Sequence, residues 1–134
     1  MSILLSSFYF CAINEFMPQS KINWYKIAES EKELQFNSNN LLVTIANDKK
    51  ITIGKKGDKF YACAHSCPHA GGYLADGYID ALGNIVCPVH HYRFNLQNGR
   101  NTSGEGYYLR TYLVEVRQDG VYVGMEEKKI FGFL

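Results

Sequence analysis

From Trp24 onward, apolar residues recur in short runs broken at close intervals by turn formers. Residues 24–28 are apolar and aromatic, and Leu41–Ala46 is rich in β-branched side chains. Beyond the turn-like Asn47-Asp48, Ile51-Thr52-Ile53 continues with period two. Residues 54–58 form a Gly/Lys/Asp turn that leads into the aromatic run 60–64. Tyr78-Ile79 and Ile85-Val86 flank a turn at Leu82-Gly83-Asn84. Residues 93–96 alternate into Asn98-Gly99, a strong hairpin signal. Residues 109–117 alternate throughout, and Asp119-Gly120 turns the chain into Val121-Tyr122-Val123. Only residues 29–34 are polar enough for a helical turn. Many short strands at this spacing predict an all-β, antiparallel sandwich or barrel. No internal repeat, low-complexity tract or interdomain linker interrupts it.

Length and composition narrow the picture. A chain of 134 residues fits one domain, and 46% hydrophobic against 20% charged residues predicts a packed core. Net charge is +1, from 14 Lys+Arg and 13 Asp+Glu, a balance unlike that of a nucleic-acid binder or of a strongly steered docking surface. Residues 1–16 are apolar and carry no Lys or Arg. They lack the basic start and cleavage site of a secretory signal, their apolar run is too short to span a bilayer, and there is no twin-arginine pair. The expectation is an apolar N-terminal extension, residues 1–16, before a single domain, residues 17–134, in a cytoplasmic protein without a membrane span. Met17 is an alternative start, and Cys11 reads as an incidental thiol.

Three of the four cysteines and all four histidines lie between Cys63 and His91. Such clustering reads first as a metal site. Cys67-Pro68-His69 is a C-x-H and Cys87-Pro88-Val89-His90 a C-x2-H, with seventeen residues between His69 and Cys87. That interval holds one hairpin, so each motif sits at a loop tip and the tips lie side by side. Together they offer two thiolates and two imidazoles. One zinc ion could take all four, or a [2Fe–2S] cluster could take two thiolates on one iron and two imidazoles on the other. Structural zinc sites usually pair like ligands. Mixed halves on facing loops suit the two-iron arrangement, with the histidines nearer solvent. Cys63-Ala64-His65 is a decoy: it lacks the Pro and the following Gly, so Cys63 reads as a small buried hydrophobe and His65 as a solvated or hydrogen-bonding residue. Of the adjacent His90 and His91, His90 is assigned as the ligand.

The stretches CPHAGGYLADG and IVCPVHHYRFNLQNG resemble the Rieske [2Fe–2S] family, and look closest to the small Rieske-type ferredoxins that serve oxygenases. The matching positions are Cys67, His69, Gly71, Leu74 and Gly77, then Cys87, Pro88, His90, Phe94, Leu96 and Gly99. The resemblance implies stacked antiparallel sheets with a small cluster-binding subdomain formed by two loops. It implies one [2Fe–2S] cluster per chain, held by Cys67, His69, Cys87 and His90. The implied function is that of an electron carrier, not an enzyme, in transient contact with a reductase and with a terminal oxygenase or other acceptor. The alternatives are a small Rieske subunit of a larger oxidoreductase such as a nitrite reductase, a redox sensor, or a zinc-stabilised binding module. A Rieske oxygenase adds a catalytic domain whose iron is held by two His and a carboxylate. The 134 residues leave no room for it, and only His65 and His91 are spare.

The sequence also departs from the family. High-potential members tie the two loops with a disulfide, and the matching positions here are Gly72 and Val89. Their Ser and Tyr hydroxyls near the second motif are not reproduced in register. The usual proline-containing third loop corresponds to residues 102–108, which hold no proline. Cover could come from Tyr107 or Tyr108, or both could be ordinary strand-start aromatics. Hydrogen bonds to cluster sulfur raise the potential, so their loss implies the low end of the Rieske range. Protein-film voltammetry should place the midpoint between about −150 and −50 mV, and a value above about +100 mV would contradict this tuning argument.

Overall fold

The computed structural model describes residues 21–69, 71–102, 104 and 106–127. The expected extension 1–16, Cys11 and Met17 lie outside the described residues. The chain divides into two compact units. One comprises residues 1–23 and 126–134; within it the Glu127 N–H donates to the Lys21 carbonyl at 2.8 Å. The other is Trp24–Met125 and carries every candidate site residue.

Among the described residues, nine strands account for the regular structure: β1 (Ile22–Ala28), β2 (Leu41–Ala46), β3 (Lys49–Lys56), β4 (Lys59–Ala64), β5 (Tyr78–Ile79), β6 (Asn84–Val86), β7 (Arg93–Asn95), β8 (Thr111–Arg117) and β9 (Gly120–Glu126). Two short 3₁₀ turns, Glu31–Glu33 and Leu74–Asp76, complete it. A six-stranded sheet runs in the order β1-β9-β8-β4-β3-β2, and a three-stranded sheet in the order β5-β6-β7. The expected all-β antiparallel architecture is therefore the one observed. Local chemistry sets the hairpins. Asn47 and Asp48 both take left-handed backbone (φ 52° and 61°) between Ala46 and Lys49, as a two-residue turn with native strand twist requires. Gly57 supplies the positive φ between Lys56 and Lys59.

Residues 51–54 of β3 are all buried, because the large sheet has a core on each face. Register places Ile53 and Ala62 opposite one another, as it does Thr52 and Cys63. Ile51, Ile53 and Ala62 join Ala46, Val123 and Met125 in one core. Cys63 and Leu41 point the other way, into a second core with Ile85, Phe94, Leu96, Cys67 and Cys87. This second core joins the small sheet to the large one. At Gly54 a Cβ would lie 3.2 Å from Ile79 Cδ1 and 3.4 Å from Leu41 Cδ2, so the absence of a side chain lets the small sheet seat closely on β3.

Asp80 closes the small sheet. Its carboxylate accepts the Leu82 and Asn84 N–H groups, each at 2.9 Å, the Asn84 side-chain amide at 3.2 Å and Arg93 Nη1 at 2.9 Å. It thus holds the β5–β6 turn and ties it to β7. Burial raises the Asp80 carboxyl, but the hydrogen bonds from Asn84, Arg93 and Leu82 outweigh it and hold the group below the usual carboxylate range. A depressed pKa contributes stability above the unfolded-state value and loses it as pH falls through the folded-state value. Asp80→Ala should cost roughly 2–3 kcal/mol in denaturant unfolding at neutral pH. The difference from wild type should shrink below about pH 4, and a pH-independent difference would contradict this role.

Candidate metal centre

Two copies of one main-chain turn form the tip of the small subdomain. In the first, the Cys67 N–H donates to the Gly72 carbonyl at 2.7 Å and the Gly71 N–H to the Cys67 carbonyl at 3.0 Å. In the second, the Cys87 N–H donates to the Tyr92 carbonyl at 2.9 Å and the His91 N–H to the Cys87 carbonyl at 3.0 Å. Each ring spans six residues, opens with Cys-Pro and has a left-handed fifth residue, Gly71 (φ 72°) or His91 (φ 60°). Gly takes that conformation freely, whereas at His91 it costs on the order of 1 kcal/mol. C-x-H and C-x2-H are therefore the same turn, with the candidate histidine in the third slot or the fourth.

The tip is layered. Cys67 and Cys87 are buried, in one core with Leu74, Ile85, Phe94 and Leu109. His69 is half-buried and His90 exposed, with ring centroids 5.1 Å apart. Tyr92 stacks on His69 at 4.0 Å and 19°, and Tyr107 meets it edge-on at 5.1 Å. Burial pushes the Cys87 thiol up; the neighbouring Cys67 thiol adds to this and the Val89 N–H opposes it. Among the described residues, no three His, Cys, Asp or Glu side chains gather closely enough to hold a single ion. A zinc tetrahedron needs four donors at one point, whereas a bridged pair of irons needs only two at each end. Two inner sulfur donors and two outer nitrogen donors fit the second requirement.

Cys63 is fully buried, as anticipated, and burial pushes its thiol up to about 12. His65 is a stacking residue rather than a freely solvated one. It is half-buried and stacked on Tyr73 at 4.5 Å, with Nδ1 buried and unpartnered. The reason is the closure of the first loop: Ser66 bridges to Tyr73, and the Leu74 N–H donates to the His65 carbonyl, which draws Tyr73 over the ring. His91 is exposed, and the backbone reversal there separates it from His90. Phe94 is fully buried and carries no hydroxyl. Neither Tyr107 nor Tyr108 starts a strand, since β8 begins at Thr111. The Tyr92 stack was not anticipated; its sequence signal was its place as the sixth turn residue, matching Gly72.

The two turns cross at Gly72 and Val89. A Cβ on Gly72 would lie 2.5 Å from Val89 Cγ2, 3.1 Å from Cys87 Sγ and 3.4 Å from Val89 Cβ. The last separation is close to the Cβ–Cβ spacing of a disulfide, about 3.5–4.5 Å, and Val89→Cys removes the nearer Cγ2 contact. The double variant Gly72→Cys/Val89→Cys should form an intrachain 72–89 disulfide in mild oxidant, identified by peptide mapping. Persistent free thiols at both positions would contradict the crossing.

Comparison with known proteins bears on the same residues. The Rieske [2Fe-2S] domain profile matches residues 23–110. The 3-phenylpropionate/cinnamic acid dioxygenase ferredoxin subunit of Shigella boydii serotype 4 (strain Sb227) is 27% identical over 78 residues, 58% of this chain and 74% of that protein. The complex of reduced oxygenase and oxidized ferredoxin in carbazole 1,9a-dioxygenase contains a chain that is 27% identical, with TM-score 0.64, over 80% of this chain and 97% of that one. The "putative NADH-dependent nitrite reductase small subunit from Mycobacterium tuberculosis" shares the fold at TM-score 0.66 and 15% identity, over 78% of this chain and 96% of that one. With the profile covering most of the chain and both Cys/His turns inside it, the chain belongs to the Rieske [2Fe-2S] domain family.

Proposed function

We propose that this chain is a one-electron carrier in which Cys67 and Cys87 hold the inner iron of a [2Fe–2S] cluster and His69 and His90 the outer one. The observation that carries the reading is the layering of the tip, with thiols in the core and imidazoles at the surface. When bound, the cluster supplies a one-electron couple. The chain's own residues set the conditions for it. Both thiols lose their protons on binding iron, so assembly releases protons. Phe94, Leu74 and Leu109 pack around the sulfur side and keep it dry. The exposed edge of His90 shortens the path to a docked protein.

The donor class is a reductase, and the acceptor class is the terminal oxygenase of a dioxygenase system. The support is the similarity to ferredoxin subunits of such systems. Contact is transient, with a small interface of the kind redox partners use. The reading assigns the chain electron transfer and leaves the bond-making chemistry to the partner. Among the described residues, no helix is long and apolar enough to cross a membrane.

Stopped-flow mixing of the red-brown protein with a dioxygenase reductase and NADH should bleach its visible absorption within catalytic turnover times. Cys63→Ser should behave as wild type, and Cys67→Ser should lack the visible bands. Bands that survive in Cys67→Ser would refute the ligand assignment. Failure of every reductase, together with a partner bound in only one redox state, would favour sensing over carriage.

A further inference from the structure

We infer that Tyr107 is a positioning residue that caps His69 and leaves His90 as the open imidazole of the pair. The inference rests on the electron-carrier reading and goes beyond it in making the two histidines unequal. His69 is held on two sides: Tyr92 stacks on its face at 4.0 Å, and Tyr107 meets it edge-on at 5.1 Å. Tyr92 and Tyr107 lie 6.0 Å apart, so the two rings and the imidazole form one aromatic group. His90 lies 6.5 Å from Tyr92 and is exposed.

The backbone explains why Tyr107, and not its neighbour, takes this place. The third loop is tied at both ends beside the second turn. At one end the Thr102 N–H donates to the Arg93 carbonyl at 2.9 Å; at the other the Leu109 N–H donates to the Gly99 carbonyl at 2.9 Å. Tyr108 bridges to Arg100 and is 64% exposed, whereas Tyr107 is 43% exposed and meets the His69 ring at 5.1 Å. Residues 102–108 hold no proline, so an aromatic ring supplies the cover instead. A ring against the imidazole keeps water from that side of His69, and would so shield a metal held there. Solvent, chelators and partners therefore meet the centre through His90.

The test uses the cluster-loaded full chain and its Tyr107→Ala, Tyr107→Phe and Tyr108→Ala variants. The readout is decay of visible absorption in excess EDTA, with the thermal midpoint of each holoprotein measured alongside. Tyr107→Ala should bleach about two- to tenfold faster, the range expected from one aromatic ring contact. Tyr107→Phe should match wild type, because the ring and not the hydroxyl is the cap, and so should Tyr108→Ala. Pulsed EPR of the reduced protein in D2O should show stronger deuterium coupling near the cluster in Tyr107→Ala only. Wild-type decay and unchanged coupling in Tyr107→Ala would overturn the inference. So would a Tyr107→Phe protein as labile as Tyr107→Ala, or equal acceleration in Tyr108→Ala. A wild-type chain without visible bands would instead overturn the electron-carrier reading, so the two failures are distinguishable.

Discussion

In both tip loops a cysteine closes a ring on itself, giving its N–H to the sixth residue and taking a hydrogen bond from the fifth. This double closure is the constraint on which the rest of the tip depends. It fixes where each cysteine leaves the main chain, and it places a left-handed residue in the fifth slot. Gly71 takes that conformation at little cost, while His91 takes it under mild strain. Because the two rings share one geometry, they can cross closely, and at the crossing point a Cβ on Gly72 would meet Val89 Cγ2 at 2.5 Å, so glycine at one position is matched to valine at the other. The histidines occupy different slots of the same ring: His69 is half-buried against Tyr92 and Tyr107, and His90 is exposed.

The large sheet supports this tip through its second core. Most sheets in small domains have one wet face, but β3 is buried on both. The inner core behind Ile51, Ile53 and Ala62 holds the scaffold together. The core on the opposite face, with Cys63, Phe94 and Leu96, belongs jointly to the scaffold and the small sheet. The buried sulfurs are thus continuous with the folding core, while the imidazoles lie at its edge. The same residues therefore serve the folding core and the tip, and Asp80 holds the small sheet's turn and third strand in register.

Much of this was legible in the residues. The hairpin at Asn47-Asp48, the strand Leu41–Ala46 and the two Cys/His motifs follow from local chemistry that needs no distant partner. Boundaries set by remote contacts were less legible. β7 ends at Asn95 because its side chain turns back to accept the Gln97 and Asn98 N–H groups, at 2.9 and 3.1 Å. Leu109 alternates with β8 in sequence, but it is bonded to Gly99 and buried in the tip-side core, so the strand starts at Thr111. The stack of His65 on Tyr73 depends on a bridge across eight residues of loop, and the choice between Tyr107 and Tyr108 depends on the ties of residues 99–109 to β7. No local pattern encodes either.

The central claim is an asymmetric two-iron centre with sulfur donors inside and nitrogen donors outside. Mössbauer spectroscopy of the purified, iron-57-enriched protein, with iron, zinc and acid-labile sulfide quantified on the same sample, tests it most directly. The account predicts two irons and two sulfides per chain, in two inequivalent sites, with the added electron localised on the nitrogen-ligated iron after reduction. A single zinc or iron per chain without labile sulfide, or two irons in equivalent sulfur environments, would contradict it.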